Sequence, residues 1–206
     1  MNTKRLLAGI LLCAALAIAS FRRANADSAD EMKRLAALME WKPGTVVADI
    51  GAGDGRYAFA VAQIVGPSGK VFATEIDTEK LAKLRSEVAK RHLNNVIVLE
   101  SKEADTNLPP QCCDAIFLRR VYHHLTKPTE FDAALVHSLK PAGRLAIIEF
   151  PPRAGLEPVE GVPANRGGHG IPQNIMIQEL TAAGFRMTQT VADWPNDDYL
   201  VLFEVK

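Results

Sequence analysis

The chain of 206 residues has only three cysteines, none in a Cys-x-x-Cys pair and none beside histidines at zinc-ligand spacing. That excludes a zinc-built or disulfide-built scaffold, and no metal is expected. There is no charge excess, because 24 bases face 24 acids. The global field that draws proteins to nucleic acid is therefore missing. Aromatics make up 6% and do not interleave with basic residues, so no nucleic-acid partner is expected. Internal repeats and low-complexity linkers are absent. What remains is a 48% apolar chain, long enough for one α/β domain with a sizeable core.

The first residues have the build of a targeting segment. Lys4-Arg5 precede an uncharged apolar run from Leu6 to Ala19, and Ala24-Asn25-Ala26 fits a small-x-small cleavage site. Residues 1–26 are expected to be a secretory signal, leaving a domain over 27–206 exported to the periplasm. Arg22-Arg23 sit awkwardly for export, since positive charge tends to stay in the cytoplasm. An uncleaved anchor, with the domain cytoplasmic, is the alternative and would be the only membrane contact. A translation start at Met32 is a third. Setting Lys4, Arg5, Arg22 and Arg23 aside leaves a mildly acidic domain. Cys112 and Cys113 are adjacent; a bridge between neighbours is strained, so two unpaired thiols in a turn are expected.

From residue 27 the pattern alternates. Ser28-Ala29-Asp30-Glu31 fits a capping box ahead of a helix carrying Met32, Leu35, Ala36 and Met39. Strands are predicted at 46–50, 70–76, 96–99, 114–118 and 144–150. Helices are predicted at 57–65, 79–92 and 131–139. Alternation of this kind gives a mostly parallel, doubly wound, Rossmann-like sheet covered on both faces. A Pro- and Gly-containing loop over 151–170 and a helix over 175–183 follow. Strands at 185–192 and 199–205 flank a turn too short for anything but antiparallel pairing. The expectation is a seven-stranded sheet with a C-terminal antiparallel hairpin.

The first strand ends in Asp49-Ile50-Gly51-Ala52-Gly53-Asp54-Gly55. In such sheets ligands bind beyond the carboxyl ends of the strands, and glycines there let backbone approach a ligand closely. The spacing is G-x-G-x-G; the dinucleotide fingerprint needs a third glycine at 56, where Arg56 stands. That demotes a NAD-dependent reductase. Glu75 ends the second strand about 20 residues on, where a carboxylate can accept both ribose hydroxyls.

Val47 to Gly55 and Ala73-Thr74-Glu75-Ile76-Asp77 resemble the first two motifs of the class I S-adenosylmethionine-dependent methyltransferases, of the small-molecule, type 11/25-like kind. Asp114 to Leu118 and Ser138 to Leu145 extend the resemblance. It implies S-adenosylmethionine as cofactor, with Asp49, Gly51, Gly53 and Gly55 at its methionine part and Glu75 at its ribose. An acid after the third strand would meet the adenine: Asp105 is preferred over Glu103. Ala142 replaces a common glycine, and Arg119-Arg120 replace apolar or acidic residues.

The reacting methyl should lie near the ends of strands four and five. Displacement at a sulfonium needs alignment, water exclusion and sometimes a base. His123 and Glu149 are the catalytic candidates. His169, in the glycine-rich loop, Tyr122 and Arg120 are the substrate candidates, with Arg119 and Arg166 as further cations. The expected acceptor is a small molecule; Cys112-Cys113 raise a metalloid acceptor as a minor one. The competing function is an exported, non-catalytic binding protein for a nucleoside-like ligand.

Overall fold

The computed structural model describes residues 26–206, so the expected leader lies outside the described residues apart from Ala26. No helix among the described residues is long and apolar enough to cross a membrane. A first helix, α1, runs over 26–38. Then follow β1 (Val46–Ile50), α2 (Arg56–Val65), β2 (Lys70–Glu75), α3 (Thr78–Lys90), β3 (Val96–Glu100) and β4 (Cys113–Arg119). After them come α4 (Pro128–Ser138), β5 (Leu139–Glu149), α5 (Gln173–Ala182), β6 (Phe185–Trp194) and β7 (Asp198–Val205). One sheet has the order β3-β2-β1-β4-β5-β7-β6. The pairs β1–β2, β2–β3, β1–β4 and β4–β5 are parallel, and β5–β7 and β6–β7 are antiparallel.

The strands are apolar on both faces, as sandwiched parallel strands must be. Val47, Ala115, Phe117, Ala146 and Ile148 point to the side covered by α1 and α2, where Met32, Leu35, Ala58 and Val61 meet them. Ala48, Ile50, Ile116, Leu118, Leu145 and Ile147 point to the other side, against Phe131 and Leu135 of α4 and Met176 and Leu180 of α5. Each fully buried Leu, Ile or Phe of this kind stabilises the domain by about 1.5–3 kcal/mol. Chain direction across the sheet reverses at β1, between β2 and β4, and the glycine loop sits at that point.

Two local expectations need correction. Ser28 to Glu31 do not cap α1, because the chain is already helical at residue 26. Glu31 instead turns inward and accepts from Arg119 Nε and Trp194 Nε1, both at 2.8 Å. The fifth strand starts at Leu139, not Arg144. α4 ends at Ser138, before the expected stop at Lys140 to Gly143, and those four residues belong to the strand. The mismatch is absorbed by a register shift between Cys113 and Ala115 and by Ala142 at φ 61°.

Candidate active site

Two walls meet beyond the carboxyl ends of the central strands. The first is the glycine loop between β1 and α2. Gly51, Gly53 and Gly55 have φ of 70°, 58° and 81°, a region that L side chains avoid. Space enforces the same choice: a Cβ on Gly51 would lie 2.6 Å from Val121 Cγ2, and one on Gly55 2.4 Å from the Phe59 ring. Glu75 is buried at the end of β2 and accepts from the amides of Gly53 (3.0 Å), Ile76 (2.9 Å) and Asp77 (3.0 Å). The expected register of the glycines with Glu75 is thus a direct contact.

Asp49 lies beneath this loop and is 3% exposed, with Oδ2 buried and unpartnered. Burial pushes its carboxyl up to about 8; the Ala58 amide offsets part of this and Glu75 adds to it. An orphaned carboxylate oxygen under a cradle of glycines suits a ligand that brings a cation, and the sulfonium amino acid of S-adenosylmethionine brings an ammonium group. The residues present therefore fit that cofactor. A cavity of about 230 Å³ opens beside the loop, lined among others by Gly51, Ile76, Glu103, Val121 and His124. Glu103 reaches it, with its carboxylate 3.1 Å from Lys127. Asp105, the preferred acid, does not line it. Its carboxylate accepts the Asn107 amide within a tight turn.

The second wall is made by segments distant in sequence. β4 is followed by one turn of 3-10 helix, Tyr122–His124, and β5 ends at Glu149. His123 Nδ1 lies 2.9 and 3.0 Å from the two oxygens of Glu149, and the His123 amide donates to the same carboxylate. Both side chains are buried. With the Glu149 carboxylate accepting, Nδ1 is the ring nitrogen that donates, and Nε2 is the one left for another partner. Nε2 is buried and has no partner. The His124 ring lies tilted against His123 at 4.0 Å, and His169 and Phe150 approach His123 at 5.3 and 4.9 Å. Burial, with His123 next to it, pushes His124 down to about 4, so it is neutral at pH 7. His169 is held by a hydrogen bond to the Glu157 carbonyl. Sequence analysis singled out His123, Glu149 and His169 separately; the structure brings the three together. His124, the neighbour over which His123 is preferred in the sequence, joins them, and so does Phe150, whose only signal there is adjacency to Glu149.

The remaining substrate candidates are corrected. Tyr122 is fully buried, and its hydroxyl donates to Asp132 at 2.8 Å. Turns of 3-10 helix separate successive side chains widely, so its neighbour faces the cleft while Tyr122 faces α4. Arg120 is occupied by a two-pronged pair with buried Asp198, at 2.8–3.0 Å. Arg119 pairs with Glu31 and lies over the Tyr57 ring. Arg166 is 1% exposed; it pairs with Glu179 and donates to the carbonyls of Leu125 (2.7 Å) and Tyr122 (3.1 Å). These three cations hold the fold. Arg166 in particular ties the 151–170 loop, and with it His169, to the turn that carries His123. Cys112 and Cys113 are both free thiols, as expected, but they lie at the amino end of β4, remote from this site. No metal-binding cluster occurs among the described residues.

Comparison with known proteins agrees with this geometry. Residues 48–147 match the family model of a methyltransferase domain. An arsenite methyltransferase of Halobacterium salinarum is 26% identical over 178 residues, covering 77% of this chain and 45% of the relative. A ubiquinone/menaquinone biosynthesis C-methyltransferase of Cupriavidus metallidurans is 33% identical over 112 residues, covering 53% of this chain and 44% of the relative. The chain spans about half the length of these curated relatives. The crystal structure of a S-adenosylmethionine-dependent methyltransferase from Aquifex aeolicus superposes with a TM-score of 0.73 at 28% identity, covering 85% of this chain and 89% of that one. Residues 48–147 therefore match a methyltransferase domain, and the fold is the one seen in the Aquifex aeolicus S-adenosylmethionine-dependent methyltransferase.

Proposed function

We propose that this protein transfers a methyl group from S-adenosylmethionine to a small protic acceptor, with His123 and Glu149 as its base. The observation that carries the reading is the buried His123–Glu149 pair, whose Nε2 has no partner in a site of Rossmann-like geometry. Bound S-adenosylmethionine supplies an electrophilic methyl on a sulfonium. The glycine loop and Asp49 hold its amino-acid part, Glu75 its ribose, and Glu103 stands at the adenine side in place of Asp105. His123 accepts the acceptor's proton at Nε2, and Glu149 fixes the tautomer and steadies the imidazolium that results. His169, His124 and Phe150 exclude water from that proton transfer. The partner is a small molecule and no nucleic acid. Residues 1–26 direct export, so the mature chain begins at Asp27.

Isothermal titration with S-adenosylmethionine and its demethylated product tests the cofactor assignment. Both are expected to bind, and Glu75→Ala is expected to weaken them about 10- to 100-fold, the worth of one or two charged hydrogen bonds. No binding of either to wild type rejects the assignment. Mass spectrometry of the protein from fractionated cells tests export: an N-terminus at Asp27 in the periplasm supports it, and an intact Met1 in the membrane fraction rejects it.

A further inference from the structure

Cys112 and Cys113 have no part in the site above. The seven residues of β4 separate them from its carboxyl end by roughly 20 Å. Their sulfurs are 2.7 Å apart, close enough for one thiol to donate to the other. Their surroundings differ. Cys112 is half-buried and follows the exposed turn Pro109-Pro110-Gln111, whereas Cys113 is fully buried. The Cys113 thiol, with Lys140 and Lys70 nearby, favours the Cys112 thiolate and lowers its pKa. The same contact, then burial, then the charge on Cys112, push Cys113 far up. Lys140 Nζ is shared with Asp114, at 2.7 Å.

We propose that Cys112 and Cys113 form a reversible redox site, which closes to a disulfide between neighbouring residues by exchange with a small-molecule disulfide. Cys112 is the attacking thiol, because it is the accessible one of the two and its neighbour is fully buried. Its sulfur bonds to one sulfur of the incoming disulfide, the S–S bond breaks, and one thiolate leaves. The mixed disulfide on Cys112 carries no thiolate charge, so neither a thiolate acceptor nor its repulsion any longer holds the proton on Cys113. That proton passes to the departed thiolate. Cys113 Sγ then attacks Cys112 Sγ, and the second small thiolate leaves. The protein has lost two electrons, and the small disulfide has become one thiol and one thiolate, which takes its proton from water.

The backbone suits such closure. β4 begins only at Cys113, Gln111 before it is already left-handed at φ 48°, and the pairing with β5 shifts register directly after Cys113. A bridge between neighbours still strains the peptide between them, and strained disulfides are the easily reduced ones. The site is therefore a reversible one and not a structural staple. It stands independently of the proposed methyl transfer.

The test is incubation of full-length Cys13→Ser protein with oxidised glutathione, followed by intact mass and non-reducing peptide mapping. The expected product has lost two hydrogens, keeps no glutathione, links Cys112 to Cys113 and reverts with dithiothreitol. Adding Cys113→Ser is expected to trap one glutathione on Cys112. Adding Cys112→Ser is expected to slow the reaction about tenfold or more, because the remaining thiol is buried and protonated. Stable glutathione on Cys112 when Cys113 is present, or both thiols left free, overturns the proposal.

Discussion

The two walls of the cleft are built in opposite ways. The cofactor wall is made of backbone: three left-handed glycines within five residues, and a carboxylate that accepts the loop's own amides. The acceptor wall is made of side chains from three places, the turn after β4, the end of β5 and the 151–170 loop. A wall of backbone needs a short local pattern. A wall of side chains needs long-range packing to hold its parts in register, and here buried Arg166 and the pair between Arg120 and buried Asp198 do so. The first is difficult to alter without a clash; the second is open to substitution, which suits a fold that serves many acceptors.

That contrast predicts separable failures. The largest effect is expected from Arg166→Ala. Glu179 loses its partner and two buried carbonyls lose their donor, so about 3 kcal/mol of stability is expected to go in chemical denaturation. Native Arg166→Ala protein at low temperature is nevertheless expected to bind S-adenosylmethionine within about threefold of wild type, because the cofactor wall does not touch Arg166. His123→Ala is expected to lower turnover about 10²- to 10⁴-fold once an acceptor is in hand, again with cofactor affinity little changed. Equal loss of both from His123→Ala would show that the walls are one unit.

Asp49 gives a pH signature to the cofactor wall. Its carboxyl is raised from an ordinary 3.8 to about 8. Between these values the folded chain holds a proton that the unfolded chain has released, so its contribution to stability falls as pH rises from about 4 to about 8. Asp49→Asn is expected to flatten that slope in thermal denaturation, with the largest difference from wild type at the alkaline end. Asp132, raised to about 7 mainly by burial, retains a share of the same sign in both proteins. An arriving ammonium favours the ionised Asp49, so cofactor binding at pH 7 is expected to release a proton. Titrations in buffers of different ionisation enthalpy detect it, and Asp49→Asn abolishes it.

The smallest effect lies outside both walls. Ala142 is left-handed, at φ 61°, where its Cβ is strained. Ala142→Gly is expected to stabilise by about 0.5–1 kcal/mol without changing cofactor binding. No gain in melting temperature would show that the strain is already relieved by the bulge between β4 and β5.

The sequence by itself determined the strand–helix alternation, the terminal hairpin, the glycine loop and its partner Glu75. Each of these rests on local spacing, on period two against period 3.6, or on glycine's freedom at positive φ. It also marked His123, Glu149 and His169 as separate polar residues at chain positions where ligands gather. Only the tertiary structure decided that His123 and Glu149 are one hydrogen-bonded pair, and that Phe150 and His124 complete their enclosure. It also decided that Tyr122 and Arg166 face inward, where Asp132 and Glu179 satisfy them, and that the half-exposed Arg120 is taken up by buried Asp198. Buried charge must find its counter-charge, and nothing local in the sequence says which of several acids will be the one beside it.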